Sequence, residues 1–149
     1  MKIEFDDNYF MSKAIDEAKI ALSKGEVPIG AVIVADNKII ARAHNMVEAL
    51  NDVTAHAEIL AITSASNYIG GKYLENCSIY VTLEPCQMCA GALYWSRISK
   101  IYFGAEDPKR CFKKLGTKLH PKTKVFGGIL QNECKDLLDK FFISRRNLN

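Results

Sequence analysis

Phe10, Met11, Ala14, Ile15, Ala18, Ala21 and Leu22 recur at intervals of three and four, the period of a helix with one buried stripe. Asp6 or Asp7 is placed to cap its start, and Gly25 to stop it. The pattern then changes. Ile29 to Ala35 and Lys38 to Ala43 are β-branched, apolar-rich runs on either side of Asp36-Asn37, which reads as a hairpin. From His56 to Ser66 the helical period returns, with Ile59, Leu60 and Ile62 on its apolar side. Ser78 to Leu83 reads as a strand broken by Glu84-Pro85, and a helix from about Cys86 to Ser96 follows, with proline tolerated just ahead of it. Lys100 to Gly104 and a short Lys124 to Phe126 complete the strands. Gln131 to Arg146 closes as a helix with Cys134, Leu137, Leu138, Phe141 and Phe142 on one side. A hairpin followed by alternating helices and strands predicts an α/β fold, a mixed sheet between helical layers.

No repeat, low-complexity tract or Gly/Ser/Pro-rich linker divides the 149 residues, so one domain spanning 1–149 is expected. No apolar run approaches the roughly 18 residues of a membrane span. Met1 to Asn8 carries Glu4, Asp6 and Asp7 against Lys2 with no apolar stretch behind it, unlike an export signal. The five cysteines do not form a disulfide framework, and a reducing, cytoplasmic setting is expected, where close cysteine pairs more often mean metal.

His56-Ala57-Glu58 and Pro85-Cys86-Gln87-Met88-Cys89 each open a predicted helix after an extended segment, so both helix starts fall at one edge of the sheet. Cys86 and Cys89, three apart, point to the same side of the first turn, where the helix dipole favours thiolate. Two thiolates and an imidazole suit one zinc ion per chain, and three ligands leave a fourth position open, the mark of a catalytic site. His44 and His120 lack ligand-like spacing to this group. Glu58 is close enough to exchange a proton with a water that zinc makes acidic. The reaction implied is hydroxide attack on an electron-poor carbon bearing an amine.

Glu26-Val-Pro-Ile-Gly-Ala-Val-Ile-Val34, Thr54-Ala-His-Ala-Glu58, Thr82-Leu-Glu-Pro-Cys-Gln-Met-Cys-Ala-Gly-Ala92, Arg97-Ile98 and Phe103-Gly-Ala-Glu-Asp107 together resemble the tRNA-specific adenosine deaminases of the cytidine deaminase-like superfamily. The resemblance spans roughly residues 5 to 146. It implies a three-layer α/β/α sandwich on a five-stranded mixed sheet, a homodimer, and conversion of adenosine to inosine at the wobble position of a tRNA anticodon loop. It also implies that Asn45 holds the target base through its amide and that Ala57 offers the base a backbone N–H. Asp107 and Lys109 fall where the family touches the flanking nucleotides. Glu58 is the proton carrier, and His56, Cys86 and Cys89 are the zinc ligands. Tyr94-Trp95-Ser96-Arg97 resembles the guanine deaminase branch, which leaves deamination of a free base or nucleoside, guanine or cytosine, as the rival activity.

After Lys109 the chain departs from the bacterial pattern, with Arg110 to Lys124 in place of a glycine-rich stretch. Charge is also uneven. Residues 1–107 hold 9 Lys/Arg against 14 Asp/Glu, and residues 108–149 hold 11 against 3. Between Lys109 and Lys124 there are seven cations and no acid, so this segment is expected at the pocket mouth, meeting RNA phosphates that a free base does not have. Phe112 within it reads either as a stacking platform or as a buried anchor. Cys77, Cys111 and Cys134 read as core or surface cysteines.

Overall fold

Asp36 and Asn37 both take positive φ, 49° and 60°, the backbone of a two-residue hairpin turn whose twist matches the strands it joins. They connect β1 (Gly30–Ala35) to β2 (Lys38–His44) in a computed structural model that describes residues 3–147. Three further strands, β3 (Cys77–Leu83), β4 (Lys100–Ala105) and β5 (Lys124–Phe126), complete a sheet of order β2-β1-β3-β4-β5. β1 pairs antiparallel with both β2 and β3, whereas β3, β4 and β5 are parallel. The mixed sheet follows from the connections. A tight turn joins β1 to β2, while β3 reaches β4 through a helix, as a parallel crossover requires.

The helices are α1 (Asp7–Ser23), α2 (Val47–Leu50), α3 (Ala57–Ile69), α4 (Gln87–Ser96) and α5 (Gln131–Asn147). α1 and α5 cover one face and α3 and α4 the other, giving the α/β/α sandwich. Asp6 caps α1, its carboxylate accepting from the Tyr9 N–H at 2.8 Å. Alternation splits β3 between two cores: Ile79 and Val81 face α3 and α4, and Tyr80 faces α1. Two glycines set the layer spacing. A Cβ on Gly30 would collide with the backbone of Ala14 and Ala18 in α1, and one on Gly104 with the Cys134 thiol of α5.

Two readings change here. The wholly buried apolar residues of α3 are the alanines 57, 61 and 65, with Ile59, Leu60 and Ile62 half-buried, because small side chains let the helix lie close to the sheet. On α5, Cys134, Leu137, Leu138 and Phe141 are buried as expected, but Phe142 is 50% exposed. α2 is new. Its first N–H groups, on Glu48 and Ala49, are held by the carboxylate of Glu26 at 3.0 and 2.8 Å. Among the described residues no helix is long and apolar enough to cross a membrane.

Candidate active site

His56 stands at the N-cap of α3 and Cys86 at the N-cap of α4, yet neither side chain makes the usual capping hydrogen bond. Imidazole and thiol are left to face each other where the two helix starts meet, with Cys89 in the first turn of α4 beside them. His56 Nδ1 lies 3.7 Å from Cys86 Sγ and 3.5 Å from Cys89 Sγ. Zinc bonds of ordinary length at a tetrahedral angle separate a nitrogen and a sulfur ligand by roughly 3.6 Å. The spacing therefore fits a zinc ion, and among the described residues these three alone form such a group.

Protons are shared unequally in this cluster. The hydrogen bond from Cys89, with His56 adjoining, pulls the Cys86 thiol down to about 4. The same bond and burial push Cys89 up, and the Cys86 partner raises His56. A thiol held this low beside an imidazole is a site where a cation can readily displace protons.

Glu58 sits in the first turn of α3, 4% exposed, and burial pushes its carboxyl up to about 7. Its Oε1 is buried with no hydrogen-bond partner. An acceptor left unpaired inside a protein is expensive, and at a catalytic site it marks where a reacting group docks.

Above this cluster opens a groove of about 1300 Å³, with His56, Cys86 and Glu58 on its wall. Asn45, at the end of β2, also lines it and is buried. Its Oδ1 accepts from the Ala57 N–H at 2.8 Å. The N–H that the family resemblance assigns to a base is therefore engaged by Asn45, and the NH2 end of the Asn45 amide is left for a ligand. Asp107 Oδ1 accepts from the N–H groups of Lys109 and Arg110 at 3.1 and 3.0 Å, so this carboxylate shapes the turn that presents Lys109 and Arg110 on the rim. Buried Glu84 accepts from the Asp107 N–H at 3.2 Å, and buried Glu26 holds α2 under the opposite wall. Both carboxylates stand in segments that the sequence singles out, Glu26 at the head of a family segment and Glu84 at the end of a strand, but with no positioning role. A lone Glu carries no signal until the fold shows it buried.

The basic segment is only partly where the sequence placed it. Lys109 and Arg110 line the groove, but Lys113, Lys114 and Lys118 do not, and the Lys114 ammonium turns back to the Pro108 carbonyl at 3.0 Å. Phe112 is buried, its N–H donating to the Pro85 carbonyl, and Cys111 bridges backbone to backbone with Cys86. From that anchor the chain runs to the opposite end of the sheet, where Lys124 N–H donates to the Ser99 carbonyl at the head of β4. Phe112 is thus an anchor and not a platform. Cations from distant elements, Lys24, Lys135 and Arg145, line the groove instead, together with half-exposed Phe142. Cys77, Cys111 and Cys134 are buried and free.

A metal held by three side chains, with a proton carrier at its open side, belongs to hydrolytic zinc enzymes, and this pairing of helix starts belongs to the nucleobase deaminases among them. The sequence model of the cytidine and deoxycytidylate deaminase zinc-binding region matches residues 5–105, and the chain is a member of that family of zinc-dependent deaminases. Within the family it is similar to the tRNA-specific adenosine deaminase of Aquifex aeolicus, 57% identical over 144 residues that cover 93% of this chain and 95% of the relative. A solved structure from studies of A-to-I editing by tRNA:A34 deaminases at the wobble position superposes with a TM-score of 0.80. It is 42% identical and covers 87% of this chain and 99% of its own. The guanine deaminase of Bacillus subtilis is also similar, less completely, at 37% identity and a TM-score of 0.67 over 76% of this chain and 72% of its own.

Proposed function

We propose that the protein deaminates adenosine to inosine at the wobble position of a tRNA anticodon loop. The observation that carries this reading is the orphaned Glu58 oxygen beside the zinc ligands, on the wall of a groove whose lining includes Lys24, Lys109, Arg110, Lys135 and Arg145. A groove of that size suits a loop of RNA more than a free base, and although carboxylates share its lining, exposed Lys109 and Arg110 on its rim are free to meet phosphates. The tRNA-specific relatives match over nearly their whole length, which favours the same choice.

Zinc held by His56, Cys86 and Cys89 supplies Lewis acidity, lowering the pKa of water toward 7. Glu58 accepts the proton that water gives up as its oxygen bonds to C6 of adenine. Glu58 then delivers that proton to ring N1, takes the proton of the new C6–OH and passes it to the exocyclic amine, so that C6–N breaks as C6=O forms and water and adenosine become inosine and ammonia. Asn45, its carbonyl fixed by Ala57, donates from its amide NH2 to an acceptor on the flipped base. Lys109 and Arg110 meet phosphates flanking it.

An anticodon stem-loop with adenosine at the wobble position should be converted to inosine, while free guanine, cytosine and adenine release negligible ammonia. Neutralising both Lys109 and Arg110 to Gln should weaken stem-loop binding and reduce the slope of log affinity against log salt by about one unit per lost phosphate contact. Ammonia release from free guanine with no inosine in the stem-loop defeats the tRNA reading and leaves the zinc chemistry standing.

We also infer a homodimer. Trp95 on α4 is 75% exposed, beside half-buried Met88, Ala92 and Tyr94, so the helix carries an apolar outer side as well as one against the sheet. The family resemblance implies a homodimer, and a twofold partner would cover that side. Light scattering should give twice the chain mass, and Trp95→Glu should lower it toward one. A monomeric wild type at micromolar concentration contradicts the inference.

A further inference from the structure

The α1/α5 side of the sheet carries a second surface, separate from the catalytic groove. α1 lies over β1 to β3 and α5 over β3 and β4, while the extensive packing of β5 is with β4. On this side, aromatic rings stack from strand to strand, from beneath α1 outward to the uncovered edge. Tyr80 on β3 and Tyr102 on β4 lie 4.4 Å apart and 4° from parallel, and Tyr102 and Phe126 on β5 lie 5.1 Å apart at 22°. The Tyr80 hydroxyl donates to Asp7 at 2.6 Å, which fixes the inner end of the ladder. Its outer end is open. β5 is the edge strand, Phe126 is 42% exposed, and the ring face turned away from Tyr102 has no further strand beside it.

Two residues before each of the outer rings, on the same face, stands a lysine, and the register sets Lys100 directly opposite Lys124. Like charges in that position repel and destabilise a sheet. Among the described residues neither lysine has an ion-pair partner. A repelling cation pair beside an open aromatic stack matches a nucleotide. Its base forms the next rung on Phe126, and its phosphate lies between the ammonium groups. None of these four residues lines the catalytic groove.

We propose that this open sheet face, Tyr102 and Phe126 with Lys100 and Lys124, binds an unpaired nucleotide of the tRNA outside its anticodon loop. The proposal rests on the tRNA reading above. Charge selects RNA over an apolar partner, and a stack ending in a free ring face selects an unpaired base over a duplex.

The test compares full-length tRNA carrying a wobble adenosine with the anticodon stem-loop cut from it, on zinc-loaded protein. Phe126→Ala should bind the full tRNA about tenfold more weakly. Phe126→Tyr, which restores a ring, should bind like wild type. Lys100→Gln with Lys124→Gln should lower the salt slope for full tRNA by about one to two units. Affinity for the stem-loop and its rate of editing should not move in any of these variants. Unchanged tRNA affinity in Phe126→Ala, or an equal loss on both RNAs, overturns the proposal. So does a fall in self-association with tRNA affinity intact, which would assign the face to a second copy of the chain. Failure of the wild type to edit the stem-loop is a separate readout and counts against the wobble-adenosine reading itself.

Discussion

Glu58→Gln protein is expected to keep its zinc and its fold while turning over on the order of 100-fold more slowly, or worse, because the amide holds the carboxylate's shape but cannot accept a proton. Single-turnover editing of the stem-loop, read beside metal content, checks this. Loss of zinc in the variant would mean that Glu58 is a ligand. A second consequence concerns stability. The Glu58 carboxyl is pushed from an ordinary 4.5 up to about 7 by burial, so the folded chain holds this proton more tightly than the unfolded chain does. Stability from that proton is intact below about 4.5 and is lost as pH rises toward 7. In metal-free protein the Gln variant should therefore become the more stable of the two across that window, by at most about 3 kcal/mol at its upper end. Zinc should narrow the difference, since a cation beside the carboxylate stabilises its charge. Thermal melts at pH 4.5 and 7.5 read the effect, and an equal difference at both pH values would refute the burial argument.

Replacing Cys86 or Cys89 with Ser should empty the metal site. Serine is nearly isosteric with cysteine, but its hydroxyl does not ionise readily, so the cation loses a thiolate that the surroundings of Cys86 already favour. Wild-type protein should carry about one zinc per chain and either variant little. The melting temperature of wild type should drop on chelation, and the variants should melt near the chelated value whether or not zinc is added. Atomic absorption with paired melts decides it, and full zinc retention in both variants would sink the ligand assignment. Cys89 should be the more damaging change, because its side chain is wholly buried while that of Cys86 is partly open.

The zinc ligands and Glu58 were legible because their signal is local. Spacing within one helical turn, and position at a helix start, are properties of a few adjacent residues. The hairpin at Asp36-Asn37 was legible for the same reason. What escaped the sequence depends on distant partners. α2 is four residues long and is capped by Glu26, which bonds Glu48 across 22 positions, so no window over residues 47–50 announces it. Phe142 shares the helical stripe of α5, yet it lines the groove and stays half-exposed. Residues 109–124 read as one charged block, but Phe112 pins one end beside the zinc ligands and the register of β5 holds the other across the sheet. Composition says that such a segment is basic. Only the anchors say which of its lysines can reach a substrate.

Those anchors join the metal to the rim. The backbone bridge between Cys86 and Cys111, the Phe112 bond to the Pro85 carbonyl and the Glu84 bond to Asp107 tie the ligand-bearing segment to the turn that carries Lys109 and Arg110. A ligand that stiffens this turn must, by thermodynamic reciprocity, tighten the hold on zinc by the factor with which zinc tightens the hold on that ligand. The amide protons of Asp107 and of residues 109–112 then become the natural reporters of metal occupancy, exchanging with solvent more slowly as the ion is loaded although none of these residues touches it.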